Sequence, residues 1–221
     1  MMKKLLITID GPAGAGKTTV SRALADRLGY RYIDTGALYR GIALAAKNRG
    51  VDPQNDDDLK LLCSDIDLNF VRQKDGLDLF LNGENISDRI RTPEITMMAS
   101  AVSARPVVRK FLLKLQKDLG KEKAAVFEGR DMGTVVFPEA DFKFFLDASA
   151  STRARRRYDE QKTKNSQSLD EVQRDIQQRD RNDSTRDLAP LKPAADAIVI
   201  DSTEMQVGEV VDLMVSHLEI E

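Results

Sequence analysis

Gly11-Pro12-Ala13-Gly14-Ala15-Gly16-Lys17-Thr18 has the spacing G-x-x-x-x-G-K-[ST]. Chemistry needs this spacing. Glycines let the backbone curl so that successive N–H groups point inward at an anion. A helix beginning at the motif's end adds its positive N-terminus. Lys17 is then placed to reach the β and γ phosphates of a nucleotide, and the Thr18 hydroxyl to bind Mg²⁺. An apolar run precedes the motif and a helical pattern follows it, which is the required context; a tight strand-to-helix turn with no ligand is the bland alternative. The expectation is a nucleoside triphosphate site with ATP on Gly11, Pro12, Ala13, Gly14, Ala15, Gly16, Lys17, Thr18 and Thr19, and the metal on Thr18.

Arginine is the second concentrated resource. Eight of the 19 arginines fall within residues 153–187, against eight acids and two lysines. Arg153, Arg156 and Arg157 stand at i, i+3 and i+4, on one helical face. A solvated helix laced with ion pairs explains the pattern. So does an arginine lid in which Arg153 and Arg157 clamp transferring phosphates, since the planar guanidinium fork grips phosphate oxygens bidentately and keeps its charge.

Other chemistries are short of parts. The 221 residues include one His and one Cys. Cys63 cannot form an internal disulfide, so a reducing compartment is expected. One Cys and one His cannot make a Cys/His zinc site. His217 stands five residues from the C-terminus, so a Ser-His-Asp arrangement is not expected. A net charge of −2 argues against bulk nucleic-acid or membrane affinity. No apolar run approaches ~18 residues. The apolar stretch at the N-terminus ends at Asp10 and is shorter than the ~7–15-residue apolar region of a secretory signal. A cytoplasmic protein is expected.

The elements that must position these groups alternate. Leu5–Ile9 reads as a buried strand of a parallel sheet. Lys17–Leu28 reads as a helix stopped by Gly29, Tyr30–Ile33 as a strand and 36–48 as a helix. Residues 51–58 are polar and turn-rich. Residues 65–84 alternate around Lys74-Asp75-Gly76, a hairpin signal, so 51–104 reads as an insertion carrying a small antiparallel sheet. Thr92-Pro93 reads as an N-cap with proline at the first helical position. Val107–Leu119 is helical by periodicity. Ala124–Phe127 and Phe142–Leu146 are strand-like, and Ser149–Glu160 is helical. Gln161–Gln167 is a polar linker, and Ser168-x-x-Glu171 a capping box. A last strand, Ala197–Ile200, precedes a last helix, Val207–Leu218. The pattern is an α/β fold with crossovers, with 1–50 and 105–221 as its core and 153–187 as the lid region.

Several stretches together resemble the bacterial cytidylate kinases. They are Gly11–Lys17, Asp34-Thr35-Gly36-Ala37-Leu38-Tyr39-Arg40, Gly129-Arg130-Asp131-Met132-Gly133-Thr134-Val135-Val136-Phe137-Pro138 and Ala189-Pro190-Leu191. Ile90-Arg91-Thr92 and Phe145-Leu146-Asp147-Ala148-Ser149 fit as well. The resemblance covers essentially the whole chain, and the 129–138 block is its most specific part. It implies a P-loop fold with a central five-stranded parallel sheet flanked by helices, a monophosphate-binding insertion and a short helical lid. It implies phosphorylation of CMP and dCMP by Mg-ATP. A monomer is the default expectation, and the interleaved charges and short apolar runs leave small-molecule substrates and no nucleic-acid or membrane partner.

The resemblance also suggests roles. Arg40, Arg130 and Arg186 match ligands of the acceptor phosphate, with Thr35 at a position that is serine in some members. Ser100 and Arg109 match positions that contact cytosine. Asp131 is the natural acceptor for the cytosine N4 amino group, which uracil lacks. Arg179 and Asp183 match residues that handle the ribose. Each has a plainer reading: a surface arginine at Arg40, an ion pair of Arg130 with Glu128 or Asp131, an i,i+4 pair of Arg179 with Asp183. Glu128 replaces an aspartate of some members, which leaves its place near the metal open. Asp147 reads as a Walker-B-like acid or as an N-cap. Rival readings are a P-loop kinase for UMP, AMP or a small metabolite, and a non-catalytic nucleotide switch, although no N-K-x-D motif is present.

Overall fold

The structure, a computed structural model, describes residues 4–73, 76–161 and 167–218. Lys74 and Asp75 of the hairpin, residues 162–166 of the polar linker and residues 1–3 of the N-terminal run lie outside the described residues. The strands are β1 (Leu6–Asp10), β2 (Arg31–Asp34), β3 (Leu68–Gln73), β4 (Gly76–Leu81), β5 (Glu84–Asn85), β6 (Ala125–Glu128), β7 (Phe142–Asp147) and β8 (Ile198–Asp201). The α-helices are α1 (Lys17–Leu28), α2 (Thr35–Arg49), α3 (Asp56–Asp65), α4 (Pro93–Ser103), α5 (Pro106–Gly120), α6 (Ala150–Gln161), α7 (Leu169–Thr185) and α8 (Val207–Leu218). A 3-10 turn spans Arg89–Arg91 and a π-helical turn Met132–Val136.

Two compact units divide the chain. The first is Met1–Tyr32 with Lys123–Glu221, the second Ile33–Glu122. Strand order in the larger sheet is β2-β6-β1-β7-β8, a five-stranded parallel sheet. β1 is central and buried along its whole length, which is why it reads as a continuous apolar run rather than an alternating one. Ile7, Ile9, Val126, Phe144 and Leu146 form one core with Leu24 of α1 and Val210 and Met214 of α8. Gly29 closes α1 with φ 66° and donates its amide to Ala25 and Asp26, the left-handed stop that glycine favours. Ala154 of α6 packs with Val172 and Ile176 of α7 and with Ala13. Ser168 and Glu171 make the reciprocal capping box. No helix among the described residues is long and apolar enough to cross a membrane.

In the second unit, the antiparallel sheet β3-β4-β5 packs on α2. A Cβ on Gly41 would meet Leu68 Cδ1 at 2.8 Å, so glycine sets this approach. Thr92 Oγ1 accepts the Ile95 amide and Pro93 opens α4. α3 departs from the sequence reading. Its start falls in the run read as turns, yet Asn55 caps it by accepting the Asp57 and Asp58 amides, and Leu59, Leu62 and Cys63 are buried. The second unit also takes in residues 33–50 and 105–122, flanking the 51–104 insertion expected from alternation.

Candidate active site

The phosphate cradle forms at the C-terminal end of β1, where ligands bind in open α/β sheets. Gly11 has φ 148°, and a Cβ there would lie 2.0 Å from the Leu146 carbonyl oxygen. Gly14 has φ 77°, and its Cβ would lie 2.7 Å from the Arg153 carbonyl oxygen. The loop therefore threads between β7 and α6 as only glycine can. Lys17 is 4% exposed and donates to the Pro12 carbonyl at 2.6 Å. Burial, reinforced by Arg130 and Arg179 and opposed by Glu128 and Asp10, lowers its pKa to about 7. Thr19 is exposed on α1.

Thr18 Oγ1 donates to Glu128 Oε1 at 2.9 Å, and the Tyr32 hydroxyl to Glu128 Oε2 at 2.6 Å. Glu128 thus orients the hydroxyl while leaving the lone pairs of Thr18 for a cation. A hydroxyl backed by a carboxylate is the hard-oxygen set that suits Mg²⁺, which takes few protein ligands alongside substrate phosphates. No group of three or more His, Cys, Asp or Glu that could hold a metal ion occurs among the described residues.

The turn after β6 carries the next group. Asp131 is 2% exposed, and its carbonyl accepts from both Val135 (2.9 Å) and Val136 (3.1 Å). Arg186 Nη2 lies 3.6 Å from Asp131 Oδ1, and Arg130 Nε donates to Asp183 Oδ2 at 3.0 Å. Burial would raise the Asp183 pKa, but Arg130, Arg179 and Arg186 outweigh it and hold it low. Arg130 therefore pairs with Asp183, from α7, rather than with Glu128 or Asp131, and Asp183 serves an arginine cluster instead of one i,i+4 pair. This unit gathers Lys17, Arg130, Asp131, Arg179, Asp183 and Arg186.

Arg153 is buried and held through Nε and Nη1. It donates to the Ala148 and Ala13 carbonyls, both at 2.9 Å, and to Asp180, which also accepts the Ala13 amide. Arg156 donates to the Ser202 carbonyl at 2.7 Å. Arg157, on the half-buried flank of α6, pairs with Glu160 at 3.4 Å. Asp147 ends β7 and accepts the Ala148 amide; the Thr152 amide goes to Ser149 Oγ instead, so Ser149 caps α6 where the sequence offered Asp147. His217 lies on α8 with its ring 6.4 Å from that of Phe144.

In the second unit, Asp34 caps α2 through the Ala37 amide and pairs with Arg40 at 2.7 Å and Arg91 at 3.3 Å. Burial pushes the Asp34 pKa up, but the two arginines overcome it and hold the carboxylate low. Arg40 Nε is buried without a hydrogen-bond partner among the described residues. Thr35 is buried at the start of α2. Ser100 Oγ is buried and likewise unpartnered. Arg109 Nη1 donates to the Ser103 carbonyl at 3.1 Å, and its guanidinium stands 5.9 Å from the Tyr39 ring centroid. The unit thus brings Arg40 to Asp34 and Arg109 to Ser103. Arg91, 53% exposed and sharing Asp34, stands out in the sequence only as part of the Ile90-Arg91-Thr92 match. Its signal is a second arginine on one buried carboxylate, which only the fold reveals.

The family model for cytidylate kinase matches residues 7–219. The cytidylate kinase of Geobacter sulfurreducens is 52% identical over 213 residues, which are 96% of this chain and 91% of that protein. That of Pasteurella multocida is 45% identical over 220 residues, 99% and 97% of the two chains. A solved shikimate kinase from Bacteroides thetaiotaomicron, 13% identical, aligns with a TM-score of 0.50 over 96% of this chain and 97% of its own, a likeness of fold alone. With a family match over nearly the full length and relatives about half identical across it, the chain belongs to the cytidylate kinase family.

Proposed function

We propose that the chain transfers the γ-phosphoryl group of ATP, in line, to the phosphate of CMP or dCMP. The observation that carries this reading is a Lys17 buried in the glycine cradle in the same unit as an arginine cluster, Arg130 and Arg186, held on the buried carboxylates Asp183 and Asp131. Such a group is costly to assemble without polyanionic ligands. The acceptor phosphate has its second pKa at ~6, so it is largely dianionic at neutral pH and needs no general base. That fits a site in which His217 takes no part. Electrostatics is the main barrier, and Lys17 with the arginines lowers it by neutralising both phosphate groups and stabilising charge in the transition state. Bound Mg²⁺ would add further neutralisation of the donor phosphates; Thr18, oriented by Glu128, would hold it.

Arg40, Arg130 and Arg186 are assigned to the acceptor phosphate, with Thr35 beside it and Arg91 added from its shared hold on Asp34. Ser100 and Arg109 are assigned to the cytosine O2 and N3 side, and Asp131 to the N4 amino group. A uracil carbonyl facing Asp131 would be repelled, the kind of mismatch that discriminates strongly. Asp183, steadied by Arg179, accepts from a ribose hydroxyl. Arg157 keeps the role of an ATP-phosphate ligand. Arg153, held through Nε and Nη1 by backbone carbonyls and Asp180, shapes the cradle and keeps the same role through Nη2. Closure of the helical lid excludes water. We place this activity in a cytoplasmic monomer, in keeping with the single, buried, free Cys63. Lys17→Ala and Arg130→Ala should each lower CMP-dependent ADP production by about 100-fold or more; rates near wild type would refute the reading.

A further inference from the structure

Two buried ionisable side chains with no part in the transfer lie beneath the turn that carries Asp131. Asp10, at the end of β1, is 4% exposed. Each of its oxygens accepts one backbone amide, Met132 at 2.9 Å and Gly133 at 2.7 Å. Lys143, on β7, is 7% exposed. Its stem runs directly under Gly133, where a Cβ would meet Lys143 Cδ at 3.2 Å and Thr8 Oγ1 at 3.1 Å. Its ammonium donates to the Pro138 carbonyl and to Asp196 Oδ2 at 2.7 Å. Asp10 therefore pins the start of the π-helical turn and Lys143 its far end. Asp131 is the residue just before the first pin, with a backbone (φ −144°, ψ 23°) that is neither helix nor strand.

Buried ionisable groups are a poor route to stability, because apolar residues of similar volume fill such space at less cost. What they supply here is geometry. A π-helical turn leaves backbone groups out of register; Asp10 satisfies two amides at its start, and Lys143 holds the chain two residues beyond its end at the Pro138 carbonyl. Lys143 also holds Asp196 in the segment that follows Arg186, so one ammonium ties both the turn behind Asp131 and the chain behind its arginine neighbour.

We propose that Lys143 and Asp10 are specificity-positioning residues, which hold Asp131 where it distinguishes an amino group from a carbonyl on the acceptor base. This rests on the reading of Asp131 given above. The transfer machinery at Lys17 and Thr18 does not use Lys143. Loosening Lys143 should therefore weaken acceptor selection and leave the handling of ATP alone.

The test is steady-state kinetics with CMP and UMP for wild type, Asp131→Asn, Lys143→Met, Lys143→Arg and Asp196→Ala. Lys143→Met keeps the stem and removes the ammonium. It should lower the CMP/UMP ratio of kcat/KM by about tenfold, mainly through the KM for CMP, with the KM for ATP within about twofold of wild type. Lys143→Arg should restore most of that ratio. Asp196 is 67% exposed, so Asp196→Ala tests the same tether even where Lys143→Met fails to fold, with an expected drop of about twofold to fivefold. A ratio unchanged in the Lys143 and Asp196 variants while Asp131→Asn collapses it would overturn the positioning role alone. A uniform fall in kcat for both acceptors would also overturn it, since that marks a merely structural residue. A ratio unchanged in Asp131→Asn would overturn the reading of Asp131 and the proposal with it.

Discussion

Lys17 carries a consequence for proton balance. Burial and the neighbouring Arg130 bring its pKa down from 10.5 to about 7. Between those values the unfolded chain binds a proton that the folded chain lacks, so this group makes stability rise with pH across that window. An arriving triphosphate favours the ammonium form and reverses the shift. Calorimetry of ATP binding at pH 8, in buffers of different ionisation enthalpy, should show uptake approaching about one proton per nucleotide. Uptake should fall toward zero near pH 6 and vanish in Lys17→Met; equal uptake in that variant would contradict the assignment. The placement of Lys17 and Thr18 at the start of α1, behind the glycine loop, was legible in the sequence because it depends on local spacing. The grip of Glu128 on Thr18 spans 110 residues, and the sharing of Asp34 by Arg91 spans 57. No local pattern encodes such pairings. Arg153 combines both kinds of signal: its helical spacing suggested a phosphate clamp, while its contacts with Ala13 and Asp180 are visible only in the fold.

Among the elements, the close approach of α6 to the cradle is the most sensitive joint. At Gly14, alanine would need both a left-handed backbone and room 2.7 Å from the Arg153 carbonyl. Gly14→Ala should raise the KM for ATP by about tenfold or more and lower stability by ~1–3 kcal/mol. Gly29→Ala is the matched control. Its φ is 66° but nothing lies within 4 Å, so it should cost about 1 kcal/mol and leave the KM for ATP unchanged. Thermal melts and initial rates on the two variants separate backbone strain from collision with α6; equal KM values would refute the joint. The helices with strong punctuation were readable: α1 ends at Gly29, α4 starts at Thr92-Pro93, and α7 opens on its capping box. α3 hid because its cap and acidic first turn, Asn55 to Asp58, look like a polar loop until Leu59, Leu62 and Cys63 are counted as a face. The π-helical turn at Met132–Val136 has no periodic signature, since its shape comes from Asp10 and Lys143.

For the molecule as a whole, a net charge of −2 conceals its useful part. Cations gather at the cradle and around Asp131 and Asp183, while exposed acids such as Asp57 and Asp58 in the first turn of α3 restore the balance. The scarcity of His and Cys, at first only an exclusion, agrees with a reaction whose acceptor arrives already ionised. Family membership supplies the class of acceptor, and the role proposed for Asp131 would supply the physical reason for a cytosine base. ADP release measured across CMP, dCMP, UMP and AMP at fixed Mg-ATP tests this most directly. CMP and dCMP should exceed UMP and AMP by at least about tenfold in kcat/KM. Equal use of UMP or AMP, or ATP turnover indifferent to added CMP, would contradict it.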